Sequence, residues 1–287
     1  MKLNQTYLSA LIKLIVGLFL FPYLLLCSDF SIFISQSQIR DWRTGEKTNV
    51  EFGFDFDIDE EFFIDSTFVF KLTNDSEYSL YYDRSDDLEI YFPTKNNIYL
   101  EGKLIYPFGW ILDPYVSASG QTQITDMFKY HGERRVATAK FWDPITSIQS
   151  SGFTFKVLLD SINSTVFNLA TTLRQIRSEN YPLLADDKKT RDVIENYKSE
   201  IGLTVSNEFN VKLDDKNSVL KSKVVVFSKY EDLEKWAYQQ QIELQTKFLG
   251  ICVFSFKLGL NYDEDVSKQL NYNQSMQLGI NLALFKD

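Results

Sequence analysis

The sequence is poor in several residue types, and each shortage excludes a class of protein. Its 287 residues include two cysteines, too few for the disulfide framework of a small secreted domain. Its one histidine cannot by itself build a histidine metal site. Twelve glycines and six prolines are too few for a collagen-like or low-complexity chain. Acidic residues outnumber basic ones 39 to 30, which argues against a general nucleic-acid binder.

Aromatic residues, in contrast, are abundant. They make up 15% of the chain, with 24 Phe and 16 Tyr, which is too much apolar mass for a disordered protein. The mean hydropathy is nevertheless -0.20. The chain is therefore rich in apolar side chains but hydrophilic on average, and the arrangement of the two kinds of residue along the sequence is informative.

The N-terminal segment has the layout of an export signal. Lys2 and Lys13 come before the uncharged stretch Leu14–Cys27, which has the length of a secretory signal and is short for a spanning helix. An uncleaved membrane anchor is the alternative, because the apolar stretch extends over 8–27 if Lys13 snorkels to the interface.

The end of this segment predicts a domain boundary. Small residues at 35 and 37 form a small-x-small pattern, so we expect cleavage before Gln38, with an alternative site near Ser28. The signal peptide would then cover 1–37, and a single mature domain would cover 38–287.

The rest of the chain alternates between apolar and polar residues with a period of two. Over 273–285, every second residue is apolar and those between are small or polar. Successive side chains of a strand point to opposite faces, so this pattern predicts strands with one apolar and one polar face. Fourteen segments show it, at 48–58, 62–73, 77–83, 87–92, 97–106, 113–125, 134–142, 150–159, 163–176, 199–213, 217–230, 234–248, 251–262 and 273–285.

The lengths of these segments and of their connections predict the fold. Most segments reach the ~9–11 residues with which a tilted strand crosses a bilayer. Long connections at 177–198 and 263–272 contrast with tight ones, as in outer-membrane barrels. The tight connections are 160–162, 214–216 and the turn near Gly250. We predict an all-β fold, a closed antiparallel transmembrane β-barrel of 12–14 strands in the bacterial outer membrane. The tight turns and the connection 126–133 would lie on the periplasmic side.

A soluble barrel or β-sandwich is the main alternative fold, since it alternates as well but turns its apolar face inward. The end of the chain favours the membrane. Gln277, Gly279, Leu282 and Leu284 form a C-terminal strand ending that resembles the assembly signal of bacterial outer-membrane barrels. Outer-membrane lipid and the barrel-assembly machinery are therefore the expected partners.

Six short motifs occur in a characteristic order along the chain. They are Trp42…Asn49, Lys71-Leu72-Thr73-Asn74-Asp75, Ser119-Gly120-Gln121-Thr122-Gln123, Phe141-Trp142-Asp143-Pro144, Phe227-Ser228-Lys229-Tyr230 and Asn261-Tyr262-Asp263-Glu264-Asp265. This layout resembles an uncharacterised family of outer-membrane proteins from diderm bacteria, a domain of unknown function expected to be a β-barrel. The resemblance covers roughly 40–285 and implies location and fold but no chemistry. Arg43-Thr44-Gly45 stands where the family typically has a glycine pair.

The polar face of the last strands is the leading candidate for a functional surface. Charges of both signs and amides occupy it, at Glu208, Lys212, Lys223, Lys235, Gln241, Glu243, Lys247 and Lys257. These residues would line either a polar pore with selectivity set by its charges or a lumen filled by hydrogen-bonded side chains. The long side chains favour a narrow or closed lumen.

The three aspartates of one strand and the single histidine are weaker candidates for a functional site. Asp55, Asp57 and Asp59 share one strand face about 7 Å apart and form a weak candidate for Ca²⁺ binding, although a charged lumen face explains them as well. His131 is the only candidate base for a Ser-His hydrolase, but it has no companion motif.

These observations predict a protein without enzymatic activity or cofactors. It would be a narrow polar channel, or a structural or accessory subunit of an outer-membrane assembly that includes other envelope proteins. A membrane-embedded lipid hydrolase and a soluble periplasmic lipid-binding protein are the alternatives. The loop 177–198 would either fold into the barrel mouth or remain mobile outside it.

Overall fold

A computed structural model describes residues 28–41, 45–64, 67–85, 88–109, 111–131, 134–158, 163–182, 185–186, 193–213, 217–264 and 267–283. These residues form fourteen β-strands and no α-helix. No helix long and apolar enough to cross a membrane is found among them. The strands are β1 Ser28–Asp41, β2 Gly45–Ile64, β3 Phe68–Ser85, β4 Leu88–Ile105, β5 Asp113–Thr122, β6 Met127–His131, β7 Arg134–Ala139, β8 Ile145–Leu158, β9 Ser164–Arg177, β10 Tyr197–Lys212, β11 Ser218–Lys229, β12 Asp232–Phe248, β13 Cys252–Asp263 and β14 Ser267–Ala283.

Twelve of these strands form a closed barrel. Neighbours along the chain pair in antiparallel fashion, β5 pairs with β8, and β14 returns to β1. Strands β6 and β7 form a separate hairpin in the connection between β5 and β8. The predicted closed antiparallel barrel of 12–14 strands is therefore confirmed, with twelve strands in the barrel itself.

In the first half of the chain, the observed strands differ from the predicted ones in number and length. Segments 77–83 and 87–92 are not separate strands, because they continue β3 and β4. In β3, the consecutive polar residues 74–76 interrupt the alternation and imitate a turn. In β4, the register shifts opposite Ser79 and Leu80, and such a bulge tolerates Pro93. The segment 134–142 was wrongly counted as a barrel strand, since it forms half of the β6–β7 hairpin.

Strand β1 begins inside the segment that was assigned to the export signal. It pairs with β2 from Ser28 to Asp41 and with β14 from Asp29 to Arg40. Cleavage before Gln38 conflicts with this pairing, because it would remove most of β1 and leave two unpaired strand edges in the membrane. We therefore propose cleavage at the alternative position near Ser28, which keeps β1 whole. Residues 1–27 lie outside the described residues.

The two ends of the barrel differ in their connections. We call the end where β1 begins and β14 finishes the terminus end, and the opposite end the far end. The short connections β8–β9, β10–β11 and β12–β13 lie at the terminus end, as predicted, and the longest ones, β5–β8 and β9–β10, lie at the far end. Two predictions were wrong: 126–133 belongs to the far-end hairpin, and β13 and β14 are joined by a short turn. Short turns occur at the far end too, but long loops mark the extracellular side of such barrels, so we infer from the two longest connections that the terminus end faces the periplasm.

The barrel turns its apolar face outward. Ile34 is 59% exposed while the adjacent Ser35 is 2% exposed, and Leu278 is 57% exposed while Gln277 is 4% exposed. A soluble barrel has the opposite polarity, so the soluble lipid-binding alternative does not fit. A closed barrel with an apolar exterior and a polar interior is the architecture of the bacterial outer membrane, and the protein is an outer-membrane barrel.

Aromatic clusters lie near both ends of the barrel. At the terminus end, the ring of Tyr106 lies 5.2 Å from that of Phe68 and 4.7 Å from that of Phe108. At the far end, the rings of Trp236 and Tyr262 are 5.0 Å apart. Aromatic girdles of this kind occupy the two membrane–water interfaces of outer-membrane barrels.

One aromatic ring packs inside the lumen, over glycines. Phe33 of β1 is 3% exposed and lies between Gly53 of β2 and Gly279 of β14 in the strand register. A Cβ atom on Gly53 would lie 2.8 Å from the Phe33 ring and 2.7 Å from the Cβ of Ser79, and would also clash with the carbonyl oxygen of Tyr78. The absence of a side chain at Gly53 thus makes room for the ring.

We predict that Gly53→Ala destabilises the barrel by about 1–3 kcal/mol, because the clash involves backbone that cannot move freely. The measurement is the urea midpoint of unfolding, with the folded fraction read from heat-modifiable migration on a gel. Gly120→Ala is the matched control, since a Cβ there meets nothing within 4 Å. Equal midpoints for both variants would contradict the packing described for Phe33.

Candidate functional site in the barrel lumen

The inner face of the barrel separates charges of opposite sign. Strands β1–β3 form an acidic wall, because they carry most of the carboxylates that the register turns inward. These carboxylates are Asp29, Glu51, Asp55, Asp57, Asp59, Asp75 and Glu77. Strands β11–β13 form a lysine wall with Lys221, Lys223 and Lys257, in which Glu243 lies opposite Lys221 and Lys257. In the twelve-strand ring, β11 lies opposite β3, so an electric field crosses part of the lumen.

Lys257 connects the two walls. Its Nζ atom is 3.2 Å from Asp55 Oδ2 and 3.5 Å from Glu77 Oε1. Gln277 of β14 donates from Nε2 to the same Glu77 oxygen at 3.1 Å, and Lys95 of β4 pairs with it too. We call these five residues the lumen bridge. Removing one partner from a buried ionic network leaves a charge uncompensated, at a cost of about 3–5 kcal/mol. A single substitution in the bridge is therefore expected to destabilise the barrel.

Glu51 extends this network with hydrogen bonds to hydroxyl groups. It is 1% exposed and accepts hydrogen bonds from Ser37 and, at 2.8 Å, from Ser79. The Ser79 hydroxyl also accepts a hydrogen bond from the backbone N–H of Lys95 at 3.1 Å. Glu51 is therefore coupled to the lumen bridge through Ser79, and it fixes the strands on which the bridge depends.

A second set of contacts crosses another part of the lumen. Lys103 of β4 donates to Asn168 Oδ1 of β9 at 2.6 Å and lies 4.1 Å above the centre of the Tyr115 ring. Asn168 in turn donates to Ser206 Oγ at 3.0 Å. Strands β4 and β9 are separated by β5 and β8 in the ring. The contact therefore joins strands that are not neighbours, and its side chains occupy the interior of the barrel.

Solvent reaches the inner face of the barrel on both sides of the lumen bridge. A cavity of about 110 Å³ opens at the terminus end. Toward the far end, the inward-facing Gln239 and Gln241 are exposed to solvent. The bridge therefore stands between two water-accessible compartments.

Glu200 anchors a basic cluster at the far mouth of the barrel. Its side chain is 6% exposed and lies 2.7 Å from Lys229, 2.8 Å from Lys198 and 3.8 Å from Arg174. Lys235, which pairs with Asp232 at 2.8 Å, lines a small cavity beside this cluster. The far mouth thus carries more positive than negative charge around one buried carboxylate.

Asp143 ties the long β9–β10 connection to the start of β8. Its carboxylate accepts hydrogen bonds from the Ser178 hydroxyl at 2.6 Å, from the backbone N–H of Glu179 at 3.1 Å, and from the backbone and side-chain N–H groups of Asn180 at 2.8 and 2.6 Å. Burial raises the pKa of Asp143, but the hydrogen bonds from Ser178 and Asn180 outweigh this effect and hold the pKa below its ordinary value. The ionised form therefore fastens the beginning of the loop.

The lumen residues predicted from sequence fall into three groups. Glu208 and Lys223 form an ion pair of 3.5 Å within the lumen. Gln241, Glu243 and Lys257 share the inner face of β12 and β13. The other three lie near the mouths, with Lys212 and Lys247 exposed at the terminus end and Lys235 at the far end.

Four charged residues of the lumen contacts are missing from the sequence prediction, namely Glu51, Glu77, Lys95 and Lys103. All lie on β2–β4. The alternation from Lys95 through Glu101 to Lys103 carries the signal that could have found the lysines, because it places these charges on one face of β4.

The C-terminal residues have defined places, apart from Leu284, which lies outside the described residues. Gln277 belongs to the lumen bridge, Gly279 lies opposite Phe33, and Leu282 pairs with Phe30 of β1. The C-terminal strand thus closes the barrel and also contributes to the interior.

The calcium and histidine candidates gain no further support. Asp55 pairs with Lys257, and Asp59 pairs with Lys71 at 2.9 Å. Within the described residues, no group of three or more His, Cys, Asp or Glu residues is arranged to hold a metal ion. His131 ends β6 in the far-end hairpin, where its backbone pairs with Arg134.

Several solved structures are similar to this chain over most of its length. The translocator domain of the autotransporter NalP from Neisseria meningitidis is 11% identical, with 88% of this chain and 87% of that chain covered and a TM-score of 0.40. The CymD monoaromatic hydrocarbon channel is 7% identical, with 93% and 92% covered and a TM-score of 0.39. An anion-selective porin from Comamonas acidovorans is 6% identical, with 89% and 98% covered and a TM-score of 0.39. Likenesses at this level carry no argument about function.

No protein-family model and no curated protein matches the chain. The resemblance to an uncharacterised outer-membrane family therefore stays a prediction.

We predict that Asp143→Asn releases the start of the β9–β10 loop. The amides of Glu179 and Asn180 should exchange with deuterium about tenfold faster at neutral pH, since they lose a charge-assisted acceptor. In the unchanged protein, protection should persist above the ordinary aspartate pKa and disappear only as the pH falls through the lowered pKa of Asp143.

Asp113→Asn is the control for this exchange experiment. Asp113 accepts one backbone hydrogen bond, from Phe108 at 2.9 Å, at the terminus end. Unchanged exchange at Glu179 and Asn180 in the Asp143→Asn variant would show that Asp143 does not fasten the loop.

Proposed function

We propose that the protein is a narrow polar channel of the outer membrane, without enzymatic activity, in which the lumen bridge forms the constriction. The observation that carries this proposal is the position of the bridge between two water-accessible compartments. The terminus-end cavity lies on one side of it, and the solvent-exposed Gln239 and Gln241 lie on the other. A small solute or ion that crosses the barrel has to pass Lys257 and its carboxylate partners.

The charges near the constriction support a preference for cations. On the periplasmic side of the bridge, Asp29, Asp57 and Glu243 line the cavity together with a single lysine, Lys221. Rings or walls of carboxylates concentrate cations and repel anions in pores. Lys257 opposes this effect, because it places a positive charge at the narrowest region.

A structural or accessory role is the second candidate, and the two crossing networks favour it. Lys257 spans from β13 to β2 and β3, while Lys103 reaches Asn168. Side chains that cross the lumen brace a barrel and also reduce its conductance. Such a barrel could serve as one subunit of an envelope assembly with other proteins, held in outer-membrane lipid after insertion by the assembly machinery.

Single-channel recording in planar lipid bilayers separates these roles. For a channel, we expect small, resolvable conductance steps from the unchanged protein. Lys257→Met should increase the conductance severalfold and shift the reversal potential toward cation selectivity, because it removes the bridging charge and leaves the acidic wall unopposed.

Lys140→Met is the matched control, since Lys140 is exposed and lies outside the barrel wall. The conductance of this variant should equal that of the unchanged protein. Folding of each variant is checked by heat-modifiable migration on a gel. No conductance from either the unchanged protein or folded Lys257→Met would overturn the channel and favour the structural role.

A further inference from the structure

The cavity at the terminus end is strongly acidic and lies on the periplasmic side of the lumen bridge, with which it shares Asp55 and Gln277. It has a volume of about 110 Å³. Five carboxylates besides Asp55 line it, against one lysine: they are Asp29, Asp57, Asp59, Glu60 and Glu243. It opens toward the periplasm, so a periplasmic solute reaches it without crossing the constriction.

Asp29 and Asp57 of this lining belong to a row of like charges on adjacent strands, which continues to Asp75 beyond the lining. Asp57 of β2 lies directly opposite Asp29 of β1 on one side and Asp75 of β3 on the other. Like charges in directly opposite positions destabilise a sheet. Asp55 and Glu77, one step further along the strands, have Lys257 as an ion-pair partner. Among the described residues, no cation lies within ion-pair distance of Asp29, Asp57 or Asp75.

Two buried oxygen atoms in the lining also lack hydrogen-bond donors. Asp55 and Asn281 are each 8% exposed, and both line the cavity. Asp55 Oδ1 and Asn281 Oδ1 have no hydrogen-bond partner among the described residues. Unsatisfied buried acceptors are costly, and what they need is an N–H or O–H donor. The cavity therefore has both a charge and a hydrogen-bonding requirement, and one kind of ligand meets both.

We propose that this cavity binds a short aliphatic diamine in its doubly protonated form. The two ammonium groups would neutralise the carboxylate row and donate to the free acceptors, while the methylene chain would lie along Phe33 and Val253, which also line the cavity. A water molecule needs about 10–15 Å³ of such space, so the cavity holds a ligand of roughly seven to ten heavy atoms. A diamine with four or five carbons has six or seven heavy atoms, so it can enter the cavity and leaves little space unfilled.

This site goes beyond the proposed channel function and does not depend on it. Binding occurs on the periplasmic side of the lumen bridge, and a barrel that conducts nothing can still bind the diamine. An ammonium group differs from a metal ion because it brings directional N–H donors to separate carboxylates, whereas a small cation needs several ligands converging on one point.

Isothermal titration calorimetry on the full barrel in detergent, at low ionic strength, tests this proposal with 1,4-diaminobutane. We expect saturable binding of one diamine per barrel. Asp57→Asn should weaken binding about tenfold, because it removes one charge-assisted contact from the centre of the row. Asp57 is solvent-facing and surrounded by like charges, so this variant should fold, which heat-modifiable migration would verify. Glu234→Gln, an exposed carboxylate near the far end, is the matched control and should bind unchanged.

Two further ligands test the chemical class. Butylamine has the same chain with a single ammonium group and should bind at least tenfold more weakly. Mg²⁺ at the same concentration should displace the diamine poorly. The proposal is overturned by the absence of saturable binding, by equal affinity in Asp57→Asn, by equal binding of butylamine, or by displacement with Mg²⁺ as efficient as with the diamine itself. Conductance plays no part in these outcomes, so failure here leaves the channel proposal untouched, and failure of the channel leaves this one untouched.

Discussion

The structure depends on one constraint, which is that no backbone N–H or C=O group may remain unpaired within the hydrocarbon of a membrane. A sheet meets this constraint only by closing on itself. The pairing of β1 with β14 provides the closure, and it makes the first described strand as important as the last. Closure also creates an interior, and the outward apolar face leaves that interior to the polar half of every strand. The charges, cavity and crossing contacts inside the barrel all follow from this division.

The interior then has its own requirement, since charged groups inside a narrow lumen lose much of their hydration. The barrel meets this requirement unevenly. Around Lys257 and Glu77, ion pairs and an amide hydrogen bond compensate the buried charges. Beside Asp57, the acidic row has no close cation among the residues that the structure describes. The compensated region is suited to a constriction, and the uncompensated region is suited to recruiting a cation from solution. The division between these two regions connects the proposed channel with the proposed diamine site.

Much of the fold could be predicted from sequence because period-two alternation is a local property of each strand. It located β9–β13 closely and placed Glu208 and Lys257 on the polar face. It failed where composition imitated another feature. The small residues at 35 and 37 resemble a signal-peptide cleavage site although they lie within β1, and the polar run 74–76 resembles a turn although it lies inside β3. The hairpin β6–β7 also alternates, but it stands outside the ring. The contact between Lys257 and Asp55 could not be predicted at all, because it depends on the closure and stagger of the whole barrel.

The central claim is that apolar side chains face lipid and polar side chains face the lumen along each strand. Spin labels placed singly at positions 275–280 of β14, in a Cys252→Ser background and in lipid vesicles, test it most directly. Collision with oxygen, which concentrates in lipid, should be high at Met276, Leu278 and Ile280 and low at the three positions between them. Alternation with the opposite phase, or no alternation, would contradict the account.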